Sequence, residues 1–110
     1  MKTIKWNTKA KEFVRDLDQS TRREIGALLL LLQRGQTLGM PQSKPMRSIH
    51  QSAYELRVKD RQGAYRIIYV LNLGEHILIQ HAFTKKTEKT PEREIEVSRK
   101  RIKELINENQ

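Results

Sequence analysis

The sequence predicts an α+β domain in which helices pack on a small antiparallel sheet. Three observations lead there. Residues 53–83 hold three strand-like segments separated by turn signals. Two stretches with helical apolar spacing precede them, and one further helix-period stretch with strong start signals follows. The resulting order, β-α-α-β-β-β-α, is that of a helix-plus-antiparallel-sheet fold covering residues 1–110 as one domain.

The elements can be taken in turn. "KTIKW", residues 2–6, alternates polar and apolar with Ile4 and Trp6 on one side, as a short strand does. Residues 8–18 place Ala10, Phe13, Val14 and Leu17 on one helical face. Residues 18–35 form a second helix with Ile25, Leu28, Leu29 and Leu32 as its stripe. Asp18 or Ser20 is its cap and Gly35 its stop. The short break near Asp18 and Gln19 makes the two helices an antiparallel hairpin. Residues 36–45 carry Gly39, Pro41 and Pro45 and read as a loop.

In residues 53–59, Tyr54, Leu56 and Val58 share one face, and Glu55, Arg57 and Lys59 the other. "DRQG" turns the chain. Residues 64–72 are apolar on both faces apart from Arg66, which puts this strand in the middle of the sheet. "GE" at 74–75 turns it again, and residues 76–83 form the third strand. Period-two counting groups His81 with Ile77, Ile79 and Phe83. In the last helix, residues 90–109, Thr90 is the expected N-cap and Pro91 the first helical residue. Ile95, Ser98, Ile102, Leu105 and Ile106 form its stripe.

Composition narrows the function classes. Lysine and arginine number 22 against 13 acids, a net charge of +9. That charge suits nucleic acid first, then an anionic membrane or an acidic protein. The chain has no cysteine, so disulfides and thiolate metal sites are excluded. The longest apolar run, "ALLLLL" at 27–32, is far short of the about 20 residues that span a bilayer. The N-terminus has no apolar signal core. A cytoplasmic protein with no membrane partner is expected.

Two groups of residues could carry chemistry. Arg66 sits in the apolar strand "YRIIYVL" and must meet a carboxylate, a carbonyl cluster or a ligand anion, because a buried unpaired guanidinium is costly. Two readings stay open: an ion pair with Glu55 on the neighbouring strand, or a cationic floor for a phosphate shared with Arg57 and Lys59. The second group is "TKKTEKT", residues 84–90. Lys85 and Lys86 could neutralise a phosphate as charge develops, with Thr87 and Lys89 adding contacts. The competing reading is a solvated charge run. His81 is either a satisfied core histidine or a general acid or base beside Lys85. Tyr65, beside Arg66, could stack on a base, while Tyr54 and Tyr69 read as core. The three histidines show no metal-ligand spacing, and no P-loop, GxGxxG or Ser/His/Asp arrangement occurs.

"YELRVKDRQGAYRIIYVL" followed by "HAFTKKTEKTPEREIEVSRKRI" resembles the RelE/ParE superfamily of type II toxin–antitoxin toxins, in its HigB-like, phage-derived branch. The likeness spans about residues 45–106, and the two N-terminal helices fit it as well. It implies an mRNA endonuclease that acts on messages in the ribosome without a metal or cofactor. The message's own 2′-hydroxyl attacks the adjacent phosphate, leaving a 2′,3′-cyclic phosphate and a 5′-hydroxyl. By the same resemblance, Arg57 and Lys59 match basic positions on the second strand. Arg66 matches the arginine that grips the phosphate, and Lys85 and Lys86 the basic pair after the last strand. The chain departs from the RelE pattern in the last helix, where RelE-like toxins carry a catalytic tyrosine and residues 91–110 have none. His81, Lys85, Lys86 and Tyr65 are the candidates for the acid–base work. The resemblance also implies an antitoxin, a small helix-turn-helix protein of HigA type, with operator DNA bound only through the complex. The leucine stripe of 25–32 is either core or part of that partner surface. Two other functions fit the same cations: a ParE-like poison of DNA gyrase, and a noncatalytic nucleic-acid-binding module.

Overall fold

A buried five-stranded sheet organises the chain. In the computed structural model, which describes residues 1–108, the elements are β1 (Thr3–Trp6), α1 (Thr8–Arg15), α2 (Gln19–Gln33), β2 (Ser43–Pro45), β3 (Ala53–Lys59), β4 (Ala64–Leu73), β5 (His76–Thr84) and α3 (Glu92–Glu108). The expected last helix reached Asn109, which lies outside the described residues, as does Gln110. The strand order is β1-β5-β4-β3-β2. The α+β class and the element order follow the sequence reading, with two additions. β1 runs parallel to β5, pairing Ile4 with Ile77, so the sheet is mixed. A short edge strand, β2, lies inside the segment expected to be a loop and pairs antiparallel with β3. Gly39, Pro41 and Pro45 hid it, yet proline is tolerated on an edge, where one side of the strand needs no ladder partner. The hydroxyls of Ser43 and Tyr69 lock this strand to the sheet at 2.6 Å.

Local chemistry places the helix ends. Asn7 Oδ1 accepts from the Ala10 amide at 3.0 Å and starts α1. α1 stops at Arg15, so Leu17 packs on the core from the link rather than from the helix. The Asp18 side chain makes no capping bond to α2, contrary to the sequence expectation. At its far end, Gly35 takes φ +87°, donates to Leu32 O, and lets Gln36 donate to Leu31 O. That pair of bonds is a Schellman stop, which needs a left-handed residue at this point. Thr90 does not cap α3; Pro91 O instead accepts from the amides of Glu94 and Ile95.

The helices cover both faces of the sheet. α1 and α2 pack on one face around Ile25, Leu29, Leu32, Leu56, Ile67, Tyr69, Ile77 and Ile79. α3 packs on the other around Ile68, Val70, Leu78, Phe83, Ile95, Ile102 and Leu105. The stripe of α2 is therefore core, and Leu28 is only half-buried. The central position of β4 explains why it is apolar on both sides.

One irregularity changes what the faces carry. Tyr69 pairs with Ile79, but its neighbour Ile68 pairs with His81, leaving Gln80 as an extra residue in β5. A bulge of this kind shifts the side-chain alternation by one. Ile77 and Ile79 face the helical hairpin, whereas His81 and Phe83 face α3, so the single-face grouping counted from the sequence is corrected. In its satisfied orientation the buried Gln80 amide donates to Leu78 O at 3.3 Å and Ile68 O at 3.1 Å, repairing the ladder at the bulge.

Among the described residues no helix is long and apolar enough to cross a membrane. Ile67 is fully buried in the hairpin-side core. Replacing it by Ala removes three carbons there and is expected to cost about 2–5 kcal/mol, read from the denaturant midpoint.

Candidate active site

Strand alternation puts Glu55, Arg57 and Lys59 on the α3 side of β3, and the register sets Arg57 directly opposite Arg66 of β4. Two cations in that position repel each other. Glu55 resolves this: its Oε1 lies 3.3 Å from Arg57 Nε and 3.1 Å from Arg66 Nε. Its Oε2 accepts from the Thr90 hydroxyl at 2.7 Å. Glu55 is 1% exposed and Arg66 7%, so the pair lies in the interior, where each partner is needed to offset the other's lost hydration. Burial pulls the Arg66 guanidinium below the usual arginine range, Glu55 pushes it back up, and Arg57 lowers it. The Glu55 ion pair, one of the two readings left open for Arg66, is thus present. It does not close the other, because Arg66 also lines the surface.

Two concavities meet at Arg66 and Lys85. The first, about 220 Å³, is walled by Arg66, Lys85, Lys86, Thr87, Arg93 and Glu94, among others. The second, a broader groove of about 390 Å³, is lined by Arg57, Lys59, Arg66 and Lys85 with Glu24 and Pro41. Lys85 is fixed at the junction because its amide still donates to Ala64 O, extending the sheet ladder. Its ammonium is 2.9 Å from Glu88, whose carboxyl is held below its usual range by that hydrogen bond. Beyond it, Lys86, Thr87 and Lys89 are exposed, and the Thr87 hydroxyl donates to Lys89 O. Lys89 lines neither concavity.

Tyr65 lies elsewhere. It is buried on the hairpin side against Phe13, and its hydroxyl donates to Asp60 Oδ1 at 3.1 Å. Burial pushes its phenol up, and Asp60 adds to the shift. It is one residue from Arg66 and therefore on the opposite face, so neither base stacking beside Arg66 nor proton transfer there is open to it. His81 is buried beneath the site rather than lining it. Its Nε2 is 2.9 Å from Glu94 Oε1, and its Nδ1 is 3.0 Å from Arg101 Nη1. An arginine can only donate, so Nδ1 accepts and Nε2–H donates to Glu94. Burial depresses the imidazole pKa, Glu94 raises it, and Arg101 lowers it, so the ring is neutral at neutral pH. Among the described residues no group of three or more His, Cys, Asp or Glu side chains could hold a metal ion.

A profile for the phage-derived protein Gp49-like family matches residues 12–103, most of the chain. The chain belongs to the Gp49-like family. Among solved structures, the isolated RelE toxin of E. coli superposes with a TM-score of 0.51 at 14% identity, over 80% of this chain and 89% of that one. The intact E. coli RelBE toxin–antitoxin complex gives the same TM-score and identity over 79% of this chain and 100% of that one. No curated protein sequence matches. The shared fold with RelE is the finding these similarities carry.

In this Gp49-like chain the sequence reading missed Glu94, Thr90 as a Glu55 partner, Arg93 and Arg101. Glu94 sits in the first turn of α3, where an acid is explained by the macrodipole alone. Only the tertiary fold brings it over the lysines.

Two outcomes follow from this geometry. Glu55→Ala strands Arg66 in the interior and is expected to cost about 3–5 kcal/mol, measured by urea unfolding, with Arg66→Met in the same chain recovering part of the loss. The second concerns pH. The folded imidazole of His81 titrates below its ordinary value near 6.5. As pH falls below about 6.5 the unfolded chain takes up a proton that the folded one resists, so stability is full above that value and declines beneath it. Urea midpoints at about pH 7.5 and about pH 5 should differ, and His81→Gln should narrow the difference.

Proposed function

We propose that this chain is the toxin of a type II toxin–antitoxin pair and acts as an mRNA endonuclease on translated messages. The observation that carries the reading is the convergence of Arg57, Arg66, Lys59, Lys85 and Lys86 on two joined concavities. Membership of the Gp49-like family and the RelE fold support it. Within this reading Arg57 and Arg66 seat the phosphate, and Lys85 and Lys86 offset the charge that builds on it. Lys59, Thr87 and Lys89 hold the flanking backbone. Cations fixed before the reaction stabilise a phosphorane far better than mobile ones, because they need no reorganisation as charge develops. The substrate's 2′-hydroxyl supplies the nucleophile, so DNA is not cut. In this reading the cations do the work of a metal, and the chemistry needs none.

The partner in this reading is an acidic antitoxin, of the HigA helix-turn-helix type in the HigB-like branch, with operator DNA bound through the complex. A net charge of +9 favours fast capture by such a partner. The setting is the cytoplasm, on ribosomes.

The test is induction of the chain in a bacterial host beside a Lys85→Ala version, with 5′ ends of cellular mRNA mapped by primer extension. Lys85 is preferred to Arg66 because Arg66→Ala also disturbs the buried Glu55 cluster. Growth arrest with new cuts inside reading frames is expected. Cleavage should slow by about 10²–10³-fold in Lys85→Ala, with little change in melting temperature. Arrest with intact mRNA and DNA breaks would move the chain to gyrase poisoning. RNA binding without cuts would leave a binding module.

A further inference from the structure

Resting on the RNA-cleavage reading, we propose that Glu94 is the general base that takes the 2′-hydroxyl proton, with His81 and Arg101 as the residues that position it. Four carboxylates lie near the cations, and their surroundings separate them: Glu24 is exposed on α2 and lines only the broader groove, away from Lys86. Both oxygens of Glu55 are committed, Oε1 to two arginines and Oε2 to Thr90, and the side chain is 2% exposed. A proton arriving there would break the cluster that holds Arg66. Glu88 is 93% exposed on the loop and is tied to Lys85, so nothing fixes it against a substrate. Glu94 is 15% exposed, lines the same concavity as Arg66, Lys85 and Lys86, and is clamped from behind. His81 takes Oε1, while the only described partner of Oε2 is Arg93, at 4.0 Å on an 82% exposed side chain.

The clamp has a defined sense. Arg101 donates to His81 Nδ1, which leaves Nε2–H to donate to Glu94 Oε1. The imidazole thereby occupies Oε1 and leaves Oε2 without a bond from His81, on a residue that lines the cavity. The bulge at Gln80 is what brings His81 to this face. A base must lie within hydrogen-bond reach of its proton, and a concavity of about 220 Å³ is small enough to hold a phosphodiester between Glu94 and the cations.

The step balances as follows. Glu94 Oε2 takes the 2′-hydroxyl proton, and the 2′-oxygen bonds to phosphorus. The bond from phosphorus to the 5′-oxygen breaks, and that oxygen takes a proton from the Lys85 ammonium. The products are a 2′,3′-cyclic phosphate and a 5′-hydroxyl. Solvent then removes the proton from Glu94 and returns one to Lys85.

The experiment compares purified wild-type chain, Glu94→Gln, Glu94→Asp and His81→Asn on an RNA the wild type cuts, free or on programmed ribosomes. Glutamine still accepts the imidazole N–H, so the helix contact survives while the basic oxygen is lost. Glu94→Gln should lower kcat by about 10²–10⁴-fold with KM nearly unchanged. Glu94→Asp should recover part of that loss, and His81→Asn should lower kcat about tenfold at unchanged KM. Glu94→Gln cleaving within threefold of wild type, or losing KM rather than kcat, overturns the assignment. A Glu94→Gln chain that fails to fold leaves the decision to Glu94→Asp and His81→Asn, and full kcat in both overturns it. A wild-type chain that cuts no RNA in either form removes the nuclease reading itself, and this assignment with it.

Discussion

The molecule is organised around a single buried carboxylate. Glu55 keeps two opposed arginines from repelling each other across the β3–β4 pair, and through Thr90 it ties the entry to α3 to the middle of the sheet. Such a cluster is expensive to assemble, since charges leave water and only good geometry offsets that loss. The benefit is placement. Arg66 is held on a central strand, rigid on both sides, rather than on a loop, and catalytic or binding groups on such elements are held more narrowly. The same sharing explains why Arg66 is a poor first mutation: its removal alters a structural cluster as well as a candidate phosphate contact.

The second organising feature is the bulge at Gln80. Without it, β5 would present His81 to the helical hairpin, and Glu94 would lose the partner at its back. With it, one strand serves two cores and still delivers an imidazole to α3. The buried Gln80 amide finds its own partners at the bulge, donating to the carbonyls of Leu78 and Ile68.

Much of the fold was legible because long periodic segments carry strong signals. β4 reads as central from its two apolar faces, and α2 from its leucine stripe and Gly35 stop. β2 was hidden because three residues ending on a proline have no periodicity to see. β1 was recognised as a strand, but not its parallel pairing, since nothing local in "KTIKW" names a partner. For the candidate site, Arg57, Arg66, Lys59 and the lysines after β5 stood out as charges in strands or at strand ends. The placement of Tyr65 and His81 was missed for two different reasons. Tyr65 adjoins Arg66 in sequence, and in a strand that guarantees the opposite face. His81 obeys period two only until the bulge, which no residue type announces.

The turn between β3 and β4 has a quieter role. Asp60 accepts from the amides of Gln62 and Gly63, from the Tyr65 hydroxyl and, through its other oxygen, from Thr21 of α2 at 2.6 Å. The Thr21 bond leads the causes that hold its carboxyl below the ordinary range. The groove that runs past Lys59 and Ala64 is therefore flanked by a turn pinned both to its own strand and to a helix. Beyond Lys85, where the groove meets the smaller concavity, residues 86–89 are exposed, with their ends tethered by the Lys85 amide and Thr90. A ligand spanning the two concavities meets one wall already ordered. The entropy it must remove is concentrated in a single short loop, so affinity for such a ligand should respond more to the stiffness of residues 86–89 than to any change in the turn.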